Sequence, residues 1–519
     1  MPGFDPDGIA AMAESHPDAI AWHNLDDGSD LTFGAWEAES NRLARGLHER
    51  GLRPGERILI AIGPDEPFPW LISYAAAHTA GAVAVPVNTR LAAPELRVIL
   101  AHAEPAVILA GTGPAPGTSW SDLAGDMDGI RTVAVIGGGG GGGGGGADDW
   151  SALLHPDASA LGPPPGEGGP VDLMYTSGTT GSPKAVVVRH DQHPPSDRRA
   201  SWNGAGFMTA SPFSTTSGAL LVYGPMRGGM SGWYQPRFDA GRWISLVEER
   251  RPLVSFVVPA MAQLIVAHPR FAEADLSGLA ALTIGGAPIA RATLQRLGER
   301  LPGADILVGY GLAEFGAVTR SPAGDGGRHL GSVGVPLPGV EVRVVGDRGE
   351  AVPHGTVGEI AVRGTGPPRE YFRAPAETGQ TWRAGWLHSG DLGHLDADGF
   401  LWITGRTKDL VIRGGHNIAP REIEEALFAH PAVVDAVAAG IPHDVLGEDV
   451  GAWVVVQEGS DTSAADLRAH LLERLADYKV PRQLRIVSRL PRNAAGKVVK
   501  SELEMTSTVR SPLPPESTR

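Results

Sequence analysis

The chain has 519 residues, 42% of them hydrophobic, which is enough for more than one domain with its own core. Lys and Arg number 44 against 59 Asp and Glu; the resulting net charge of -15 speaks against a general nucleic-acid binder but leaves room for a locally positive pocket. Cysteine is absent, which removes disulfides, thiolate metal sites and cysteine nucleophiles together.

The opening residues, "MPGFDPDGIAAMAESHPDAIAWHN", carry early acids and no basic segment ahead of an apolar run, so no signal peptide is expected. The most apolar early stretch, Ser73–Val87, is broken by His78, Gly81 and Pro86 and is too short to span a bilayer. A cytoplasmic protein without membrane contact is the expectation. "LTFGAWEAESNRLARGLHERGLRPGERILIAI" predicts a helix closed by Gly51, a turn at Pro54-Gly55 and a buried strand. "PWLISYAAAHTAGAVAVPV" and "AAPELRVILAHAEPAVILAG" repeat the pattern of helix, break and strand, which implies a parallel α/β sheet. Gly137–Gly146 is an unbroken glycine run with no side chains to pack, read as a flexible surface loop or an artefact.

A second alternating region runs from about Leu173 to Thr319. "GSVGVPLPGVEVRVVGDRGEAVPHGTVGEIAVRG" then changes to short β-rich runs with turn glycines, a small antiparallel unit. After Arg406 the pattern becomes helix, strand, loop, strand, helix, strand, which suggests a separate α+β lobe. The expected fold is therefore α/β: residues 1–407 form a large domain of parallel αβ layers plus a small β unit, and residues 408–519 form a small α+β domain.

"MYTSGTTGSPKAVVV", Met174–Val188, has the parts of a phosphate loop but not the G-x-x-x-x-G-K-[ST] spacing of a Walker A loop. Glycines let backbone N–H groups approach an anion, hydroxyls donate to phosphate oxygens, and Lys184 supplies a point charge. The flanking apolar runs place it between two strands; a polar hairpin turn is the plainer alternative. No G-x-S-x-G elbow occurs, which speaks against a Ser-His-Asp hydrolase. "HDQH", His190–His193, lacks the spacing of a metal motif and reads as a solvated loop.

This loop resembles the signature of the adenylate-forming superfamily, which includes acyl-CoA synthetases, luciferases and peptide-synthetase adenylation domains. Five further segments resemble that family's motifs in the right order: "IGGAPIA" (Ile284–Ala290), "GYGLAEFG" (Gly309–Gly316), "SGDLG" (Ser389–Gly393), "GRTKDLVIRGGHNIAPREIE" (Gly405–Glu424) and "LPRNAAGKVVK" (Leu490–Lys500). The resemblance implies a carboxylate attacking the α-phosphorus of ATP to give acyl-AMP and pyrophosphate. A nucleophile, commonly the thiol of coenzyme A, then displaces AMP. Bringing two anions together needs neutralisation and positioning more than covalent help.

The same resemblance assigns roles. Thr176, Ser177, Gly178, Thr179, Thr180 and Gly181 would donate to the β- and γ-phosphates, with Lys184 alongside. Glu314 would hold Mg²⁺ against the phosphates, although by itself it reads as a solvated loop carboxylate. Tyr310, followed by Gly311, would stack on adenine against Gly285, Gly286 and Ala287; alone it is equally a core aromatic. Asp391 would accept the ribose hydroxyls, with Arg406 nearby and Asn417 also on the nucleotide. Lys497 would reach the carboxylate and α-phosphate, and its loss would cost about 10²–10³ in rate. Lys408 falls at the hinge about which the C-terminal lobe is mobile, swinging Lys497 out and the Gly414-Gly415 loop in to form the thiol tunnel.

Two positions depart from the family pattern. Ala313 stands where a threonine touches the α-phosphate, a loss of about 1.5–3 kcal/mol unless a water or main-chain N–H takes its place. Thr215, in "SPFSTTSGALL", occupies a histidine position at the junction of acyl pocket and tunnel. No acid lies between Thr209 and Phe238, where amino-acid-activating relatives hold the ammonium, so an α-amino acid is not expected as substrate. Ser217, Gly218, Tyr223, Phe256 and Val258 would line a pocket for an aromatic or medium aliphatic acid. The expected partners are that acid and coenzyme A, or an amine or carrier-protein thiol in its place, with no nucleic acid and no membrane. A homodimer is left open, as is a non-catalytic nucleotide-binding protein of this fold.

Overall fold

The computed structural model describes residues 6–111, 119–125, 127, 129–137, 147–161, 169–176, 184–189, 202–443, 445–493 and 496–503. Ser177 to Gly181 of the phosphate loop, His190 to His193, and Gly138 to Gly146 of the glycine run lie outside the described residues.

Local chemistry sets the first elements. Thr32 caps the helix Phe33–Glu49 by accepting from the Ala35 N–H, and Gly51 follows its end at φ +84°. The helix buries Phe33, Trp36, Leu43 and Leu47 on one face. Gly46 sits so close to the Leu153 carbonyl that a Cβ would lie 1.7 Å from its oxygen. Helix Pro67–Thr79 and strand Val83–Pro86, then helix Ala93–Ala103 and strand Val107–Ala110, repeat the unit as the sequence pattern implies.

The chain divides into two compact units, residues 1–407 with 494–496 and residues 408–493 with 497–519. Among the described residues the larger unit holds three sheets, of seven, nine and five strands. The seven-stranded sheet is parallel until its last strand: Pro170–Thr176 pairs antiparallel with Lys184–Arg189, with Thr176 opposite Lys184. The nine-stranded sheet has a parallel centre, Met230–Tyr234, Ala205–Thr209, Val254–Val257, Ala281–Ile284 and Asp305–Leu312. It continues antiparallel into Gly316–Arg320. The five-stranded sheet is antiparallel and holds Val340–Val345, Gly358–Gly364, Trp386–Leu395 and Leu401–Arg406.

A polar knot ties the phosphate-loop strand to the first layer of helices. Asp172, on Pro170–Thr176, accepts from the Tyr74 hydroxyl at 3.1 Å and sits 3.0 Å from His78 Nε2. His78 Nδ1 in turn lies 3.2 Å from the Tyr223 hydroxyl. All four side chains are buried, so each depends on the others for its hydrogen bonds.

The smaller unit packs helices Pro420–Phe428 and Ala464–Leu472 with a mixed sheet. Its long strands Val433–His443 and Gly447–Val456 pair antiparallel, and Gln483–Ile486 joins in parallel. No helix among the described residues is long and apolar enough to cross a membrane.

Three stability outcomes follow. Gly46→Ala drives a methyl into the Leu153 carbonyl and is expected to cost at least about 1–3 kcal/mol in urea denaturation. Gly303→Ala, with open space around it, stays within about 0.5 kcal/mol. Asp172→Ala leaves the Tyr74 hydroxyl buried without its acceptor and is expected to cost about 3 kcal/mol in the same assay.

Candidate active site

The hairpin Asp305–Leu312/Gly316–Arg320 sets the first group of residues. A Cβ on Gly311 would lie 2.6 Å from the Gly316 carbonyl oxygen, so the two strands can close only on glycine. The turn between them carries Ala313 and Glu314, both half-buried. One residue earlier in the strand's alternation, Tyr310 is 9% exposed and donates its hydroxyl to Asp391 Oδ2 at 2.6 Å. Burial, followed by the charge of Asp391, raises the Tyr310 pKa and holds the phenol protonated.

Asp391 is 3% exposed and lies opposite Arg406 in the antiparallel ladder. Arg406 Nε donates to Asp391 Oδ1 at 2.6 Å. The structure thus brings Tyr310, Asp391 and Arg406 together around one carboxylate. A carboxylate has about four lone-pair directions, so it can accept two further donors beside these.

Gly285 and Gly286 form the second group. A Cβ on Gly285 would lie 3.6 Å from the Gly309 carbonyl and 3.7 Å from the Phe256 ring. Gly286 has φ +91°, and a Cβ there would lie 3.2 Å from Ser217 Oγ and 3.8 Å from Val258. Ser217, Phe256 and Val258 are therefore gathered beside this glycine turn, with Ala287 next in the chain. Phe256 and Val258 share an apolar cluster with Phe207.

Two residues of the expected acyl pocket are placed differently. Tyr223 is 0% exposed and stacks on Trp36 and Tyr74 in the core, with its hydroxyl on His78. Its phenol is held within the core by the His78–Asp172 pair. Gly218 is a packing glycine, since a Cβ would lie 1.9 Å from the Pro212 carbonyl oxygen. Thr215 caps the helix Thr216–Leu221, donating to the Pro212 carbonyl at 2.8 Å and accepting from the Gly218 N–H at 3.0 Å.

The third group surrounds Glu314. The Tyr371 hydroxyl donates to Glu314 Oε1 at 2.7 Å, and Lys184 Nζ lies 5.5 Å from the Tyr371 ring centre. Burial and then the Glu314 charge push the Tyr371 pKa up, so it stays a donor. Thr176 Oγ1 donates to the Lys184 carbonyl at 3.4 Å. A cavity of about 230 Å³ opens beside Glu314 and Tyr371, with Glu359, Thr381, Arg383 and His388 on its wall.

Sequence reading missed Tyr371 and its neighbour Arg369. Arg369 is 6% exposed and donates from Nη1 to the Ala313 carbonyl at 3.0 Å. The available signal was "REYFR", Arg369–Arg373: two aromatics and two arginines in a Pro/Gly-rich stretch.

The remaining candidates belong to the smaller unit. Lys408 opens it, in the single turn Thr407–Asp409. Gly414 and Gly415 both have positive φ, +55° and +88°, in the turn that leads to exposed Asn417. Lys497 is exposed in a loop closed by paired main-chain and side-chain bonds with Asn493.

Comparison with known proteins agrees with this arrangement. The model of the AMP-binding enzyme family matches residues 9–372, and that of the AMP-binding enzyme C-terminal domain matches residues 422–497. A feruloyl-CoA synthase of Amycolatopsis sp is 34% identical over 493 residues, covering 92% of this chain and 94% of that protein. Among solved structures, the anthranilate CoA ligase AuaEII in complex with anthranoyl-AMP is similar at a TM-score of 0.84 and 25% identity, covering 95% of each chain. The amide bond synthetase McbA from Marinactinospora thermotolerans reaches 0.81 at 27% identity, covering 96% of this chain and 98% of that one. With both family domains in place and the Tyr310–Asp391–Arg406 constellation assembled, the chain belongs to the AMP-binding, adenylate-forming enzymes.

Proposed function

We propose that the chain activates a carboxylic acid with ATP and passes the acyl group to the thiol of coenzyme A. The observation that supports this reading is the buried Asp391 carboxylate, held by Tyr310 and Arg406 with lone pairs left over that would suit a ribose diol. In the first step a carboxylate oxygen of the acid attacks the α-phosphorus, and the bond to pyrophosphate breaks. In the second the sulfur attacks the acyl carbon, AMP leaves, and the thiol proton passes to solvent.

Each side chain supports a part of this. Lys184, at the head of its strand, offsets phosphate charge as pyrophosphate separates. Thr176 and the loop to Gly181 cradle the β- and γ-phosphates. Lys497 neutralises the meeting of carboxylate and α-phosphate, and Lys408 is the hinge that changes its place between the steps. Asn417 adds a nucleotide contact, and Gly414-Gly415 lines the way for the thiol. Mg²⁺ fits Glu314 as a single protein carboxylate. No group of three or more acidic or histidine side chains converges to hold a metal among the described residues, so phosphate oxygens and water would complete its shell, as this ion prefers. Bound there, it would neutralise phosphate charge.

The acid is read as aromatic or medium aliphatic. Phe256, Val258 and Ser217 beside Gly286 offer apolar surface and one hydroxyl, and nothing between Thr209 and Phe238 would pair an ammonium. The similarity to a feruloyl-CoA synthase and to an anthranilate CoA ligase supports an aryl acid. A second reading, transfer to an amine, is favoured by the likeness to an amide bond synthetase. It is also favoured by Thr215, whose hydroxyl is committed to a helix cap where the family pattern has an imidazole.

Four outcomes test this. In a carboxylic-acid panel, ATP–pyrophosphate exchange should be strongest with an aryl or medium-chain acid; a free α-amino acid at the top would overturn the pocket reading. Competition between coenzyme A and amines then decides the acceptor, and turnover with an amine alone rejects the thioester. Tyr310→Phe is expected to raise the KM for ATP about five- to tenfold through loss of the Asp391 bond, whereas Lys497→Ala lowers the adenylation rate about 10²–10³-fold; full exchange activity in the lysine variant would remove it from the site.

A further inference from the structure

Arg369 is a buried cation without a carboxylate beside it. It is 6% exposed, and among the described residues no acid comes within ion-pair distance of it. The two carboxylates whose charge acts on it are spoken for: Asp172 serves Tyr74 and His78, and Glu314 serves Tyr371. A guanidinium presents five N–H donors, and the described contact uses one, Nη1 on the Ala313 carbonyl. Burying such a group for one neutral hydrogen bond is costly. Burial pushes its pKa down to about 10, with Asp172 and Glu314 pulling the other way, so it stays charged at neutral pH.

Its placement is held from several sides. Val187 N–H donates to the Glu370 carbonyl and Phe372 N–H to the Ala185 carbonyl, both at 2.8 Å, so the Arg369–Phe372 segment runs along the strand that begins at Lys184. Trp382 Nε1 donates to the Arg369 carbonyl at 3.1 Å. The guanidinium lies against Gly316, where a Cβ would meet Nη2 at 3.3 Å. Residue 313 offers it only a main-chain carbonyl, because an alanine has no donor of its own.

We propose that Arg369 is a nucleotide-binding residue, donating to an α-phosphate oxygen at the turn where Ala313 has no hydroxyl to give. The inference rests on the ATP-dependent reading above. A threonine donor is absent at 313, and an arginine held on the 313 carbonyl would supply a donor in its place. A charge-assisted bond of this kind is worth about ten- to a hundredfold in affinity.

The test is direct binding of AMP, ATP and adenosine to the whole chain, which needs no knowledge of the acid. Wild type that bound neither AMP nor ATP would defeat the ATP-dependent reading itself, before any variant is considered. With that established, Arg369→Met is expected to weaken AMP and ATP about ten- to a hundredfold and leave adenosine unchanged. Ala313→Thr added to Arg369→Met should recover part of the loss, and by more than Ala313→Thr gains in the wild-type background. AMP affinity unchanged in Arg369→Met, or AMP and adenosine weakened alike, would overturn the proposal in favour of a purely structural arginine. If the Met variant does not fold, Arg369→Lys carries the test, since one ammonium cannot serve both the Ala313 carbonyl and a phosphate oxygen: weaker AMP with adenosine unchanged supports the proposal, and equal AMP affinity rejects it.

Discussion

The site depends on one buried carboxylate. Asp391 is a charge at 3% exposure, and a charge so placed persists only when its neighbours hold it. Tyr310 comes from the nine-stranded sheet, while Asp391 and Arg406 face one another across two strands of the antiparallel unit. Their hydrogen bonds therefore join two separately built layers at one point. Arg406 is also the last residue of its strand, directly before the Thr407–Asp409 turn where the smaller unit begins. The interaction that orients the acceptor thus lies two residues before Lys408, where the smaller unit begins.

The second constraint is the antiparallel strand that ends the seven-stranded sheet. A parallel sheet continued by one hairpin strand places Thr176 opposite Lys184, so both ends of the phosphate loop return to the same edge. The far side of Lys184–Arg189 is then taken by the Arg369–Phe372 segment. That arrangement brings Tyr371 against Lys184 and Glu314, and so lets one aromatic residue link the cation and the carboxylate expected to manage phosphate charge.

Much of this was legible in the sequence because it is written locally. The helix Phe33–Glu49 and its Gly51 stop follow from periodicity and a cap. The β unit after Ser332 follows from its alternation and turn glycines, and Tyr310, Asp391 and Arg406 each sit in a short motif. What was illegible is written in long-range contacts. Arg369 and Tyr371 gain their surroundings by pairing with a strand far earlier in the chain, and no local pattern announces that. Tyr223 is a like case: its hydrogen-bond partner, the His78–Asp172 pair, is contributed by a distant helix and strand.

Thr215 carries the remaining question of the acceptor. Its hydroxyl donates to Pro212 and accepts from Gly218, so the group that could have acted as a polar gate instead starts a helix. An imidazole at that position would project further and could take or give a proton near neutrality; a capping threonine does neither. Gly218 lies against the same Pro212 carbonyl, where a Cβ would be 1.9 Å from its oxygen, so no larger side chain fits there. On the proposed reading, the choice between a thiol and an amine is then not made by proton transfer at residue 215. The chain's choice between them is in that case set by what can reach the acyl carbon rather than by a threonine that could activate it.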